Sequence, residues 1–281
     1  ARRSAGAAEC TVMTGATFAP PPRPVSLRLH PRPRPILRRH RLPTGSRGLA
    51  ALCVCLAIVS SASAGKPVLR DPGIPDGEIS RYNVFLRDGA QEVSTHRVAT
   101  NQHDRGPAYE IATDTKTMVL LRRDLTPVSI TRRNEDASID WRLLYRDDRV
   151  NYVFPGPRRN RVEKVDRNRY DVNAITHVVR GFPFGEEDEV KFQLVTMDRI
   201  VGVGFKIVGE EIARVPAGDF PCYKLRAGLT GIKGRLYTRK IYFWVEKAPP
   251  HRMVRQEDEG VTDVARTELI EWRVDDEGGA P

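Results

Sequence analysis

From Ile79 to Trp272 the chain is built of short segments in which apolar residues alternate with charged or small ones, each closed by Gly, Pro or Asp-Gly. A period of two sends successive side chains to opposite faces. Turn signals this closely spaced join neighbouring strands as an antiparallel sheet with one face inward and one wet. The pattern predicts strands over Ile79–Leu86 and, after the Asp88-Gly89 turn, Glu92–Ala99. Met118–Arg122, Val128–Arg132, Ile139–Tyr145 and Val150–Phe154 follow, and Pro155-Gly156-Pro157 ends this meander.

The period then changes. In Asp171–Arg180, residues Val172, Ile175, Val178 and Val179 fall on one helical stripe, with Asp171 as N-cap and Gly181 as stop. Strands resume over Glu189–Thr196, Ile200–Glu210, Cys222–Ala227, Leu236–Glu246, His251–Glu257 and Val264–Trp272. Gly202 and Gly204 leave one face of their strand almost bare. Coiling of the sheet explains them ahead of the close approach of a backbone or ligand. The expected fold is mainly β: a curved, incompletely closed antiparallel β-barrel or sheet with one helix packed on or in it. A single domain should occupy residues 65–275, with 276–281 as a tail.

Upstream, Leu49 to Ala64 reads LAALCVCLAIVSSASA, behind Arg38, Arg39, Arg41 and Arg47. A basic flank, a short apolar run and the small residues Ala62-Ser63-Ala64 make an export signal, cleaved near Ala64. An integral membrane span needs roughly 20 apolar residues, more than this run supplies. The expected location is the periplasm of a Gram-negative envelope. Residues 1–48 form a basic, Pro- and Arg-rich leader that cannot build a core. The first Met is Met13, and a true start at Val25 or Leu27 would make the residues ahead of it over-extended translation.

The leader also carries the charge. The chain has 46 Lys and Arg against 36 Asp and Glu, a formal +10 that would invite nucleic acid. Ten of the Arg and one acid lie in residues 1–64, leaving 36 basic against 35 acidic residues, so nucleic acid is not an expected partner. Cys222 is the one thiol after Ala64, and the domain must hold together by its core. Neither Cys53 nor Cys55 follows the small residue that a lipid-anchoring signal requires.

The last third holds an ordered set of soft motifs: Val215-Pro216-Ala217-Gly218-Asp219-Phe220, Ile241-Tyr242-Phe243-Trp244-Val245-Glu246, Pro249-Pro250-His251-Arg252-Met253-Val254-Arg255 and Thr267-Glu268-Leu269. With the preceding helix and the Gly181-Phe182-Pro183-Phe184-Gly185 loop, this order resembles the bacterial exported domain-of-unknown-function 3108 family, best over residues 171–272. The resemblance implies a periplasmic, incompletely closed antiparallel barrel similar to lipoprotein-carrier folds of the LolA/LolB kind. It implies no activity and so no catalytic residue.

Local chemistry explains most of these residues. Gly218 supplies a positive φ in a tight turn, with Phe220 and Tyr223 dropping onto the core, and Pro249-Pro250 stops the preceding strand. Tyr242 and Trp244 share one face of their strand while Ile241, Phe243 and Val245 share the other. A strand apolar on both faces is buried between layers or faces a cavity, and core packing outweighs a ligand groove. The pair Cys222 and His251 has no orienting motif, and a buried, inert thiol is the commoner fate. His96, His103, His177 and His251 lack metal-ligand spacing, and the Glu186-Glu187-Asp188 loop lacks the EF-hand pattern. Gly202-x-Gly204 lacks the third glycine of a dinucleotide loop.

The sequence therefore points to a non-catalytic exported protein that binds a hydrophobic or lipid-like ligand, with Phe184, Phe205, Tyr242 and Trp244 as ligand-binding residues, no metal and no cofactor. The alternative is an envelope structural or assembly protein that meets a protein partner through a sheet edge or the Arg158–Arg161 loop. A hydrolase using Cys222 or His251 stands behind both.

Overall fold

The computed structural model describes residues 68–157, 159–231 and 240–275. The leader, the export signal with Cys53 and Cys55, Arg158, the first residues of the strand expected from Leu236 and the 276–281 tail lie outside the described residues. The chain divides into Ala1–Ser61 and Ala62–Pro281, and everything below belongs to the second unit.

Among the described residues, fifteen strands form one open sheet. The first run comprises β1 (Glu78–Leu86), β2 (Gln91–His103), β3 (Gly106–Ala112), β4 (Lys116–Leu121), β5 (Pro127–Arg133), β6 (Ile139–Arg146), β7 (Arg149–Val153) and β8 (Arg161–Lys164). Each pairs antiparallel with the next, stepping outward to one edge. The chain then crosses to the other edge and returns through β9 (Arg169–Asp171), β10 (Glu189–Val195), β11 (Ile200–Val215), β12 (Gly218–Leu229), β13 (Ile241–Glu246), β14 (Met253–Asp258) and β15 (Val264–Val274). β15 pairs antiparallel with β1, joining the two runs in the middle. β8 and β9 end the sheet without pairing to each other, so the barrel stays incompletely closed.

One pairing departs from the antiparallel rule: β9 lies parallel to β10, Gln193 opposite Arg169. Parallel neighbours need a crossover connection, and the expected helix supplies it. Helix α1 spans residues 172–181: a 3-10 turn Val172–Ala174, one α turn Ile175–Val178 and a second 3-10 turn Val179–Gly181. Asp171 is the N-cap, accepting from the Asn173 amide at 2.7 Å. At Gly181 the chain packs so closely that an added Cβ would meet the Arg70 carbonyl oxygen at 2.5 Å. Three strands escape the sequence pattern: β3, opened by Gly106-Pro107; β8, whose Arg-Val-Glu-Lys has one apolar residue; and β9, only three residues long.

The sheet curls around one core. Tyr109, Ile111, Trp141, Leu143, Tyr145 and Tyr152 of the first run join Phe192, Phe205, Leu225, Phe243 and Leu269 of the second in a single buried cluster. Val178, Val179 and Phe182 from α1 and its exit fill the concave face between them. The β11–β12 hairpin turns at Gly218 (φ +131°) and curls far enough for the Ala217 amide to donate to the Leu269 carbonyl of β15 at 3.2 Å. Over Gly202 an added Cβ would strike Thr230 Oγ1 at 2.4 Å, so a neighbouring side chain occupies the bare stretch of β11.

A buried ion pair locks α1 in place. Arg180, 2 % exposed, donates to both oxygens of Glu78, 0 % exposed, at 2.6 and 3.0 Å. Its Nε donates to the Pro250 carbonyl at 3.2 Å. One guanidinium thereby ties the helix end, the start of β1 and the β13–β14 turn. Breaking one side strands a charge in the core, which costs about 3–5 kcal/mol, whereas apolar replacement of both partners is often near neutral. Urea denaturation should show Arg180→Leu losing stability of that order, with Glu78→Leu/Arg180→Leu recovering most of it. Equal losses in the single and double variants would show that the pair itself is not the lock.

Candidate functional site

Register sorts the four aromatic residues singled out by sequence. Phe205 stands opposite Ala227, and Ala227 opposite Ile241, on the concave face. Phe205 is fully buried there, edge-on to Phe192 at 4.9 Å and Phe243 at 5.8 Å between ring centroids. Tyr242 and Trp244 stand opposite Arg226 and Lys224 on the outer face. Phe184, in the loop after α1, stacks on Tyr223 at 4.5 Å and tilts against His251 at 4.8 Å. The structure thus brings Tyr242 and Trp244 together and sets Phe205 on the other side of the sheet, with Phe184 in a separate aromatic group.

The outer face carries a groove of about 430 Å³ beside Tyr242. Phe85 of β1 and Tyr242 of β13 sit at the ends of one cross-strand row, Phe85–Arg266–Glu257–Tyr242. With Ala265 they give the groove its apolar surfaces, and the Arg266 guanidinium lies 4.3 Å from the Phe85 ring centroid. The β14–β15 turn forms one wall. Buried Asp258 organises that turn by accepting from the amides of Gly260 (2.7 Å) and Thr262 (2.9 Å) and from Arg87 Nη2 (3.0 Å). Phe85 and Arg266 went unnoticed in the sequence, although Phe85 is an aromatic residue at a wet-face position, which was the available signal.

Trp244 is on the solvent side yet only 3 % exposed. Ala213, Cys222 and Val254 pack around it, Lys224 and Arg255 lie 4.5 and 5.0 Å from its ring centroid, and its Nε1 donates to Glu211. Long cationic side chains cover aromatic surface in this way while keeping their charged heads wet. Trp244 therefore acts as the inner support of the stripe, and Tyr242, half-buried, as its accessible end.

Two histidines that spacing kept apart meet beneath α1. His96 Nδ1 is 3.0 Å from His177 Nε2, and His96 Nε2 is 3.1 Å from Ser94 Oγ. His177 Nδ1 is buried with no hydrogen-bond partner among the described residues. A tautomer with the proton on His177 Nε2, donated to His96, leaves only an acceptor unpaired. Burial pushes His96 down to about 4 and, with His96 and Arg180 nearby, holds His177 well below its ordinary value. Among the described residues no group of three His, Cys, Asp or Glu could hold a metal ion. Cys222 is fully buried, and burial pushes its thiol up to about 12, so it carries no nucleophilic thiolate near neutral pH.

Two outcomes follow from these shifts. An unfolded chain protonates both histidines near pH 6.5, while the folded one resists until about pH 4 at His96 and lower than its ordinary range at His177. Stability should fall as pH drops through that window, by up to about 1.4 kcal/mol per pH unit for each histidine. Asp171, raised by burial, acts in the opposite direction, so the histidine share is read from the shallower slope of His177→Asn in urea denaturation between pH 7 and 4. An unchanged slope would contradict the assignment. Cys222 should not react with a thiol reagent at pH 8 until the protein is unfolded, and prompt labelling of the native state would restore it as a candidate nucleophile.

Comparison with known proteins adds a family. The sequence model described as "Protein of unknown function (DUF3108)" matches residues 79–264. No curated protein matches. Among solved structures, a β-barrel-like protein of domain of unknown function DUF1849 from Brucella abortus is 9% identical with a TM-score of 0.44, over 71% of this chain and 98% of that one. A protein with a YmcC-like fold from Bacteroides fragilis is 14% identical with a TM-score of 0.31, over 74% and 100%. A LolA superfamily protein from Nitrosomonas europaea is 11% identical with a TM-score of 0.26, over 74% and 89%.

Proposed function

The chain belongs to the DUF3108 family of proteins of unknown function, and from that premise we propose that it is a non-catalytic binding protein of the cell envelope that holds a hydrophobic or lipid-like ligand. The export pattern ending at Ala64 motivates the compartment. The observation that carries the binding role is the groove floored by Phe85 and Tyr242 on the solvent side of the sheet. An aromatic surface left accessible next to a pinned turn suits an acyl or isoprenoid chain laid across β1 and β13–β15, with Trp244 as support and Arg266 beside a polar headgroup. Phe205 and Phe184 belong, in this reading, to the packing behind the site. Burial of Cys222, which pushes its thiol up, speaks against that residue as the nucleophile of a hydrolase.

The test is titration of a fluorescent fatty acid into the full chain, with Phe85→Ala/Tyr242→Ala and Phe205→Leu as variants. Each lost aromatic contact removes roughly 1–2 kcal/mol, so the outer-face double variant should bind at least about tenfold more weakly while Phe205→Leu binds as the parent does. No saturable uptake, or loss confined to Phe205→Leu, would overturn the reading. A second reading, docking of a protein partner, is favoured by the free edge of β8, where Val162 is 59% exposed. Crosslinking that recovers one reproducible envelope protein, lost in Val162→Lys, would support it over a lipid ligand.

A further inference from the structure

In an antiparallel meander, alternate turns fall at the same end of the sheet. The β2–β3, β4–β5 and β6–β7 turns therefore gather at one end, and the connection from β8 to β9 passes across them, held by the Val165 amide on the Asp148 carbonyl at 2.7 Å. These four segments enclose a cleft of about 360 Å³ lined by Arg105, Arg123, Arg167 and Arg169. Arg105 also lines the adjoining concavity of about 520 Å³ along β6, and its Nη1 donates to the Tyr145 carbonyl at 3.0 Å.

Arg169 is the unusual member. It is 4 % exposed, and its Nη1 reaches only the Asp166 and Arg167 carbonyls, at 3.4 Å each. Its Nε and Nη2 are buried with no hydrogen-bond partner among the described residues. Those two nitrogens form one edge of the guanidinium, the two-pronged edge that grips a pair of oxygens. A buried polar group left unpaired is costly, and more so when charged. Burial, and after it the neighbouring charge of Arg105, pull the Arg169 guanidinium below its ordinary value, while Tyr145, Asp124 and Asp147 pull the other way.

The acids at the cleft do not satisfy that edge. Asp124 accepts from the Thr126 amide and hydroxyl and pairs with Arg123 at 3.3 Å. Asp148 pairs with Arg149 at 3.6 Å and Lys164 at 4.0 Å. Asp147 lines the rim on the exposed β6–β7 turn. We propose that this cleft is a phosphate-binding site, with the free edge of Arg169 as the bidentate anchor and Arg105 and Arg167 closing on the remaining oxygens. A carboxylate offers two coplanar oxygens, whereas a tetrahedral phosphate can accept from guanidinium groups arriving from several directions. The phosphate is either a free phosphate compound or the headgroup of a phospholipid, and the site is separate from the groove at Tyr242.

Calorimetric titration of the full chain with inorganic phosphate and with pyrophosphate, at low ionic strength, tests the site. Sedimentation with phosphatidylglycerol vesicles, against phosphatidylcholine vesicles, is the second arm. Saturable binding to the soluble anions assigns a free phosphate compound, and binding to the phosphatidylglycerol vesicles alone assigns a headgroup. In either arm Arg169→Lys, which keeps the charge and loses the fork, should weaken binding at least tenfold, and sulfate should compete better than acetate. Should Arg169→Lys fail to fold, Arg105→Gln/Arg167→Gln on the cleft wall decides, with the same loss expected. No saturable binding in either arm, or binding unchanged in these variants, would overturn the proposal.

Discussion

The placement of α1 over the concave face turns on the pairing of Glu78 with Arg180. An open sheet of this size has a concave face too apolar to leave wet, and the helix that covers it offers little more than one α turn of its own hydrogen bonds. A helix so short is not stable by propensity and must be held from outside. Arg180 does this by joining three segments distant in sequence, and the Arg70 amide adds a backbone bond to the Gly181 carbonyl at 2.9 Å. The pair gives direction more than energy, since the desolvation of two charges offsets most of their attraction.

Once α1 is fixed, the division of labour between the two faces follows. The concave side, with Phe205, Phe243 and the buried tyrosines, becomes packing. The convex side and the turn ends hold the two features on which the proposals rest: the aromatic stripe beside Tyr242, and the arginine-lined cleft where alternate turns converge. The first owes its shape to cross-strand register, the second to meander topology. Neither needs the barrel to be hollow.

Periodicity made most of the architecture legible. Alternation located β1, β2 and most later strands, the 3.6 period located α1 with its Asp171 cap, and the Val215–Phe220 motif located the β11–β12 turn. Strand β3 escaped because Gly106-Pro107 reads as a turn, and β8 because its charges hide a two-residue period. The site was harder to read. Alternation correctly separated Tyr242 and Trp244 from Phe243, but which face is concave depends on curvature that no local window records. Nor can spacing show that His96 meets His177, or Glu78 Arg180, since such contacts arise only once the chain has crossed from β8 to β9.

Native-state hydrogen exchange, residue by residue, tests most directly whether the concave face stays covered. The account predicts that the amides of Arg70, Val179 and Phe182 exchange only through global unfolding, with the same free energy as the core strands β12 and β13. Exchange of the α1 amides through a cheaper, local opening while β12 and β13 remain protected would contradict it, and would return the concave face around Phe205 to the list of places where a ligand enters.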